Sequence, residues 1–290
     1  MILDGKKISE QIKTEITEEV KIFSAKNNFV PGLGCILVGS IPASEYYVKS
    51  KVKSCGEVGF YSKLNKFDST ISENDLLFEI EKFNNDAKIH GILIQLPLPN
   101  HINEEKILQS VIPEKDVDGF NPINVGKLVL GQKTFVPCTA LGILEILKRY
   151  KIETMGKHVV VVGRSNIVGR PIANLLSQKE YGNAIVTIVH SASKDIASFT
   201  KQADILIVAI GKPKFITANM VKNGSVVIDV GINRIQKGNE SILIGDVDFE
   251  NVKNVASAIT PVPGGVGPLT IAMLLQNTLL AAKLSVGGNY

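Results

Sequence analysis

The sequence predicts an α/β protein of two domains, the second built on a doubly wound, mainly parallel sheet. Three observations predict it. In the first half, helix-period apolar stretches alternate with short apolar strands. In the middle, four apolar strands follow one another: His158–Val162, Ile185–His190, Asp204–Ile210 and Ser225–Val230. Helical stretches separate these strands, and Gly or polar residues end them. Finally, a glycine turn, Gly163 to Gly169, follows the first of the four.

The elements can be justified in order. Ile8, Ile12, Ile16, Val20 and Phe23 recur at three- or four-residue intervals with charges between them, the pattern of an amphipathic helix. Cys35–Gly39 is a short buried strand. Ser44 is placed to cap a helix that runs toward Gly56. Leu76, Leu77, Ile80 and Phe83 mark another helix, and Ile89–Leu96 a strand that stops at Pro97. A helix over Leu141–Tyr150 leads into the second domain. A last helix, Pro268–Lys283, follows the Gly/Pro-rich loop Pro261–Gly267 and is expected to return to the first domain, leaving a cleft between the two. The expected domains are residues 1–138 with 269–290, and residues 139–268.

Composition narrows the function classes. The chain has 290 residues, 44 % hydrophobic and 21 % charged, enough apolar material for a sizeable core. A net charge of +4 with acids and bases interspersed is too mild for a nucleic-acid footprint. Cys35, Cys55 and Cys138 are far apart and lack metal-ligand spacing, so they read as buried or incidental thiols of a reducing compartment, with no metal expected. Leu269–Leu284 is interrupted by Thr270, Gln276, Asn277, Thr278 and Lys283, a buried helix rather than a membrane span. The N-terminus lacks the apolar core of a signal peptide, and the cytosol is the expected location.

The turn Val159–Pro171 reads as a nucleotide site. Gly163 ends a β-branched run and allows a tight turn, and Gly169 lets backbone approach closely at a helix start that attracts phosphate. Its Gly-x5-Gly spacing, with Ser165 in the usual middle-glycine place, is weak by itself and also suits an ordinary strand–turn–helix. The next strand ends in His190-Ser191-Ala192-Ser193, with no carboxylate until Asp195, and Arg164 adds positive charge. An acid-free, Arg-bearing turn favours the 2′-phosphate of NADP over NAD. His190 reads equally as a strand end or a cofactor contact.

Ser44, Tyr47 and Lys51 lie three and four residues apart and share a helix face. Alone, such a Tyr-x-x-x-Lys pair is more often a solvated face. Short-chain dehydrogenases use the same spacing, but after their glycine turn; here the order is reversed. Three further segments add weight. Gln95 stands beside a double proline at a strand's carboxyl end, Asp116 and Asp118 lie in a turn closed by Gly119, and Pro261–Thr270 is a Gly/Pro-rich helix entry.

On these blocks the whole chain resembles the bifunctional methylenetetrahydrofolate dehydrogenase/cyclohydrolase family. The matching residues are Ser44-x-x-Tyr47-x-x-x-Lys51, Asn84-x-Asp86 leading to Gln95-Leu-Pro-Leu-Pro99, Lys115-Asp-Val-Asp-Gly119, Gly163-Arg-Ser165 with Val168-Gly-Arg-Pro171, and Pro263-Gly-Gly-Val-Gly-Pro268. The resemblance departs at Ala140, where proline is common, implying a less rigid loop after Pro137, and at Leu269, where methionine is usual.

The resemblance implies an N-terminal α/β catalytic domain and a Rossmann-like NADP-binding domain. It implies oxidation of 5,10-methylenetetrahydrofolate with NADP, then hydrolysis of the methenyl cation to 10-formyltetrahydrofolate, in one-carbon supply to purine biosynthesis. A monofunctional dehydrogenase of the same family is the alternative. Lys51 is the expected proton handler, because desolvation and a cationic substrate favour its neutral amine, and Gln95 can orient it without adding charge. The resemblance gives Tyr47 a stacking role on the folate ring, Asp118 the pterin N–H groups, and Ser44, Pro263, Gly264 and Gly265 substrate contacts. Gly163, Arg164, Ser165, Val168, Gly169, His190, Ser191 and Ile232 would contact the cofactor. Tetrahydrofolate derivatives are the expected partners, with a homodimer and neither nucleic acid nor membrane.

Overall fold

A computed structural model describes residues 1–237 and 240–289 and resolves them into two compact units. One comprises Gln11–Cys138 with Ile271–Tyr290; the other comprises Met1–Glu10 with Thr139–Thr270. The first ten residues thus group with the second half of the chain, where the sequence reading placed them with the first. Backbone pairing is the reason: Leu3 N–H donates to Ile259 O at 2.9 Å and Lys6 N–H to Gly264 O at 2.9 Å. A Cβ on Gly5 would lie 1.9 Å from Gly265 O, so only glycine admits this approach.

The amphipathic helix α1 (Gly5–Asn27) buries Ile8, Ile12, Ile16, Val20 and Phe23 as their spacing predicts. The unit holding most of the first half is built on a parallel sheet of β1 (Gly32–Val38), β2 (Tyr61–Phe67) and β3 (Gly91–Ile94), in the order β2-β1-β3. Helices α2 (Pro42–Glu57) and α3 (Glu73–Asn85) make the crossovers, and α4 (Glu104–Ser110) and α5 (Pro122–Val129) follow β3. The chain leaves β1 for one neighbour and returns to the other side for β3. This places a topological switch point between β1 and β3, where α/β proteins open a crevice at the strands' carboxyl ends. Ile36, Ile80, Phe83, Ile92 and Ile107 are fully buried in the core beneath.

The other unit begins with α6 (Cys138–Arg149). Its parallel sheet contains β4 (His158–Val162), β5 (Ile185–Val189), β6 (Ile205–Val208), β7 (Val226–Asp229) and β10 (Ala258–Ile259), ordered β10-β7-β6-β4-β5. In order of appearance this is 2-1-3-4-5, a doubly wound sheet with its switch point between β4 and β6. Helices α7 (Gly169–Ser177), α8 (Ile196–Thr200) and α9 (Phe249–Val252) connect strands, and a hairpin, β8 (Asn233–Lys237) with β9 (Glu240–Ile244), is inserted after β7. Finally α10 (Val266–Ser285) carries the chain back: from Ile271 on it belongs with the first-half unit. Among the described residues no helix is long and apolar enough to cross a membrane.

Two local expectations change. Ser44 does not cap α2: the N-cap is Ile41, Pro42 opens the helix, and the Ser44 hydroxyl instead reaches Leu96 O at 3.5 Å. Ala140 is not in a loop; it is fully buried in the first turn of α6, where no proline ring is needed to order the chain. Leu269 is fully buried and sits against Gly142, whose Cβ would come within 2.9 Å of it.

Phe83 fills the space above Gly34, where an added Cβ would meet its ring at 2.7 Å. Phe83→Ala should therefore destabilise the protein by about 3–5 kcal/mol in denaturant unfolding; a loss below about 1 kcal/mol would contradict this packing account.

Candidate active site

The first-half site is assembled from β3 outward. Gln95, just past β3, is anchored by its backbone N–H on Ile36 O of β1 at 2.9 Å. Its side-chain Nε2 donates to Leu96 O at 2.7 Å, which leaves Oε1 facing away as an acceptor. Lys51 Nζ, from α2, donates to that oxygen at 3.1 Å. Tyr47 lies four residues earlier on the same helix, half-buried, with its ring edge-on to Tyr46 at 6.0 Å. Ser44 is buried one turn before it. The structure thus brings Ser44, Lys51 and Gln95 into one hydrogen-bonded group around Leu96, with Tyr47 on the same helix.

Asp116 and Asp118 divide in role. Asp116 is buried and accepts from Phe120 N at 3.1 Å, Asn121 N at 2.8 Å and Asn124 Nδ2 at 2.8 Å. Lys115 ties the same turn to α3 by donating to Phe83 O at 3.0 Å and Asp86 O at 2.9 Å. Asn84 adds a contact to Ser110 O at 2.8 Å. These motif residues hold the turn. Gly119, at φ +73°, closes it where a side chain would strike Pro137 N at 2.8 Å.

Asp118 keeps its carboxylate open: among the described residues its one hydrogen-bond partner is the Cys138 thiol, at 3.6 Å. Burial raises the Asp118 carboxyl above the usual range, the Lys51 cation pulls it down, and Asp116 adds a smaller push upward.

Cys138 and Asn277 escaped the sequence reading as site residues. Cys138, expected as a buried or incidental thiol, is buried, and its one S–H lies within reach of both Asp118 Oδ1, at 3.6 Å, and Val117 O, at 3.5 Å. Asn277, read only as a polar break in an apolar helix, is buried and donates to Val117 O at 2.8 Å and Val136 O at 3.1 Å. A buried amide in an otherwise apolar helix was the available signal. The other thiols are buried too, and burial pushes Cys35 up to about 12.

In the other unit the glycine turn forms as a close-packed strand–helix junction. Gly163 has φ +128°, and its Cβ would lie 2.2 Å from Ala209 O. On Gly169 a Cβ would lie 2.2 Å from Gly163 O, so the turn and α7 pack too closely for any side chain. Ser165 Oγ accepts from Val168 N at 3.1 Å and Gly169 N at 3.4 Å. Arg164 and Ser165 are exposed, free to face an anion.

At the end of β5, His190 Nδ1 accepts from Ala192 N at 3.2 Å and His190 N–H donates to Ser193 Oγ at 3.1 Å, leaving Ser191 exposed. The first acid beyond, Asp195, caps α8 through Ser198 N at 3.1 Å. Ile232 is 45 % exposed, unusual for isoleucine beside a sheet end. Pro263, Gly264 and Gly265 lie in this unit, with Gly264 at φ +104°.

Comparison with known proteins gives this arrangement a family. Residues 3–118 match the catalytic-domain model of tetrahydrofolate dehydrogenase/cyclohydrolase, and residues 137–286 match the NAD(P)-binding-domain model of the same family. This chain belongs to the tetrahydrofolate dehydrogenase/cyclohydrolase family. The bifunctional protein FolD of Chloroherpeton thalassium is 56 % identical to it over 285 residues, covering 96 % of this chain and 97 % of that protein. The crystal structure of the bifunctional enzyme FolD from Campylobacter jejuni, 49 % identical, superposes with a TM-score of 0.94 over 98 % of this chain and 99 % of its own. That of the Trypanosoma brucei methylenetetrahydrofolate dehydrogenase-cyclohydrolase, in complex with NADP and an inhibitor, is 38 % identical with a TM-score of 0.95, covering 99 % and 98 %. The Lys51–Gln95 pair and the open Asp118 lie in the part related to the family's catalytic domain, and the Gly163 turn lies in the NAD(P)-binding part.

Because Lys51 holds the Asp118 carboxyl down, Lys51→Met should move the Asp118 titration to higher pH. Carboxyl-carbon NMR checks this; an unchanged titration would show that the two charges do not interact.

Proposed function

We propose that the chain is a bifunctional folate one-carbon enzyme. It oxidises 5,10-methylenetetrahydrofolate with NADP and hydrolyses the resulting 5,10-methenyltetrahydrofolate to 10-formyltetrahydrofolate. The observation that carries this reading is the Lys51 amine resting on the neutral Gln95 oxygen at 3.1 Å, in a chain that has both halves of the family.

A carboxylate hydrogen-bonded to Lys51 would favour its ammonium form. A neutral amide orients the amine without that bias, so Lys51 can take a proton while water adds to the cationic carbon and return it as the ring opens. Asp118, whose carboxylate is met among the described residues by the Cys138 thiol alone, suits the amino and ring N–H groups of a pterin, and the half-buried Tyr47 ring suits its face. Ser44, buried on Leu96 O, positions the strand end.

The cofactor residues fit NADP. The Gly163–Gly169 junction leaves no room for side chains, Ser165 and Arg164 are exposed beside it, and the nearest acid after β5 is engaged as a helix cap. Gly163, Ser165, Val168 and Gly169 would hold the phosphates, Arg164 and Ser191 the 2′-phosphate, and His190 and Ile232 the remaining faces. When bound, NADP supplies the hydride acceptor. A cytoplasmic homodimer serving purine biosynthesis completes the proposal.

The test follows reduced nicotinamide and methenyl decay separately. Lys51→Met should lose methenyl hydrolysis yet keep NADP binding; undiminished hydrolysis would sink the assignment of Lys51. In Arg164→Ala the KM for NADP should rise about 10- to 100-fold, as for loss of a charge-assisted hydrogen bond, with little change for NAD. Equal losses for both cofactors would refute the 2′-phosphate role.

A further inference from the structure

Two buried carboxylates take no part in the chemistry above. Asp246, just after β9, is completely buried, and Asp229, the last residue of β7, is 2 % exposed. Asp246 Oδ2 accepts from the backbone N–H of Ile210 at 2.7 Å and Gly211 at 2.8 Å, while its Oδ1 accepts from Asn233 Nδ2 at 2.8 Å. Asp229 Oδ1 accepts from Gly231 N at 3.0 Å and Asp246 N at 3.0 Å, and its Oδ2 from Val247 N at 2.9 Å. The glycines around them make room: a Cβ on Gly245 would lie 1.8 Å from Asp229 Oδ2, and one on Gly231 2.2 Å from Asp246 Cγ.

The segments these acids grip are the loops leaving the carboxyl ends of β6 and β7. The first begins at Ala209, whose carbonyl backs Gly163 of the glycine turn and whose N–H donates to Val162 O of β4 at 2.8 Å. That places it at the β4/β6 switch point, where a doubly wound sheet receives a nucleotide. The second runs through Gly231 to the exposed Ile232. Neither carboxylate is exposed to a ligand. Burial pushes the Asp229 carboxyl up to about 7 against the pull of its three amides, a mark of how strongly this position resists charge.

We propose that Asp246 and Asp229 are positioning residues for the cofactor site: they clamp the loops after β6 and β7 into the shape that receives NADP, without touching it. This rests on the NADP reading above. Their partners span β6, β7 and the β8–β9 hairpin, so the hairpin acts as the brace of the crevice rather than as decoration on the sheet.

The test uses the full-length chain with NADPH as the probe. In Asp246→Asn the side-chain oxygen still meets Ile210 and Gly211, but its new amide opposes the Asn233 amide, donor against donor. The Kd for NADPH in a fluorescence titration, and the KM for NADP, should rise about 10-fold or more. Hydrolysis of methenyltetrahydrofolate, which uses no NADP, should keep its kcat and KM. Adding Asn233→Asp restores a donor–acceptor pair and should recover most of the affinity. Asn233→Ala, a milder change that leaves both acids in place, should raise the Kd about 3-fold and decides the matter if Asp246→Asn fails to fold. Unchanged NADPH affinity in these variants, or hydrolysis falling in step with cofactor binding, would overturn the inference. A wild-type chain that binds no NADPH would sink the cofactor reading and this inference with it.

Discussion

The Gln95 amide is held so that only one of its ends can meet Lys51. Its nitrogen donates to Leu96 O, and the oxygen left over receives the lysine. An amide free to flip would offer Lys51 a donor half of the time and would repel it. The anchoring therefore depends on the strand end: Gln95 N–H bonds to Ile36 O of β1, and Ser44 shares Leu96 O. A hydrogen bond to a neutral acceptor orients an amine at small cost to its proton exchange, whereas an ion pair in a low-dielectric site would fix the proton in place. The Asp118 carboxylate supplies the nearby negative charge, but the cation lowers its titration without a direct hydrogen bond between the two.

The second unit solves a related problem with backbone. A phosphate site built from N–H groups needs loops that hold their shape without a side chain in the ligand's path. In the cofactor site proposed above, the Gly163–Gly169 junction would achieve this by packing so closely that a side chain at either glycine is excluded. As the proposed positioning residues, Asp246 and Asp229 would do so from behind: they consume the amides of the adjoining loops in a buried network in which every donor named has a carboxylate acceptor.

Much of this was legible in the sequence because it is written in periodicity. The stripe from Ile8 to Phe23 has to face a core, and Val159–Val162 has to be buried on both faces, so α1 and β4 emerge where expected. The edge strand β2 was not legible: Tyr61–Phe67 alternates polar residues and is largely exposed, and its pairing to β1 rests on backbone hydrogen bonds that leave no apolar mark. The helices α4 and α5 and the strands of the β8–β9 hairpin are too short, at five to eight residues, to show a periodicity of their own. Within the site, the Tyr47–Lys51 spacing and the Gln95 strand end could be read. The Cys138 and Asn277 contacts could not, because they join Val117 to residues distant in the chain. Ser44 shows the opposite error: a good capping residue near a helix start was outcompeted by Pro42, and its hydroxyl turned to the neighbouring strand end.

The central claim is that the neutrality of the Lys51 partner enables the hydrolytic step. The most direct measurement is the pH–rate profile of methenyltetrahydrofolate hydrolysis in Gln95→Glu, which keeps the shape of the side chain and adds one charge. The introduced carboxylate should favour the ammonium form, lower the rate near neutral pH and move the rising limb of the profile to higher pH, while NADPH binding stays as in the wild type. A profile that coincides with the wild type would contradict the account.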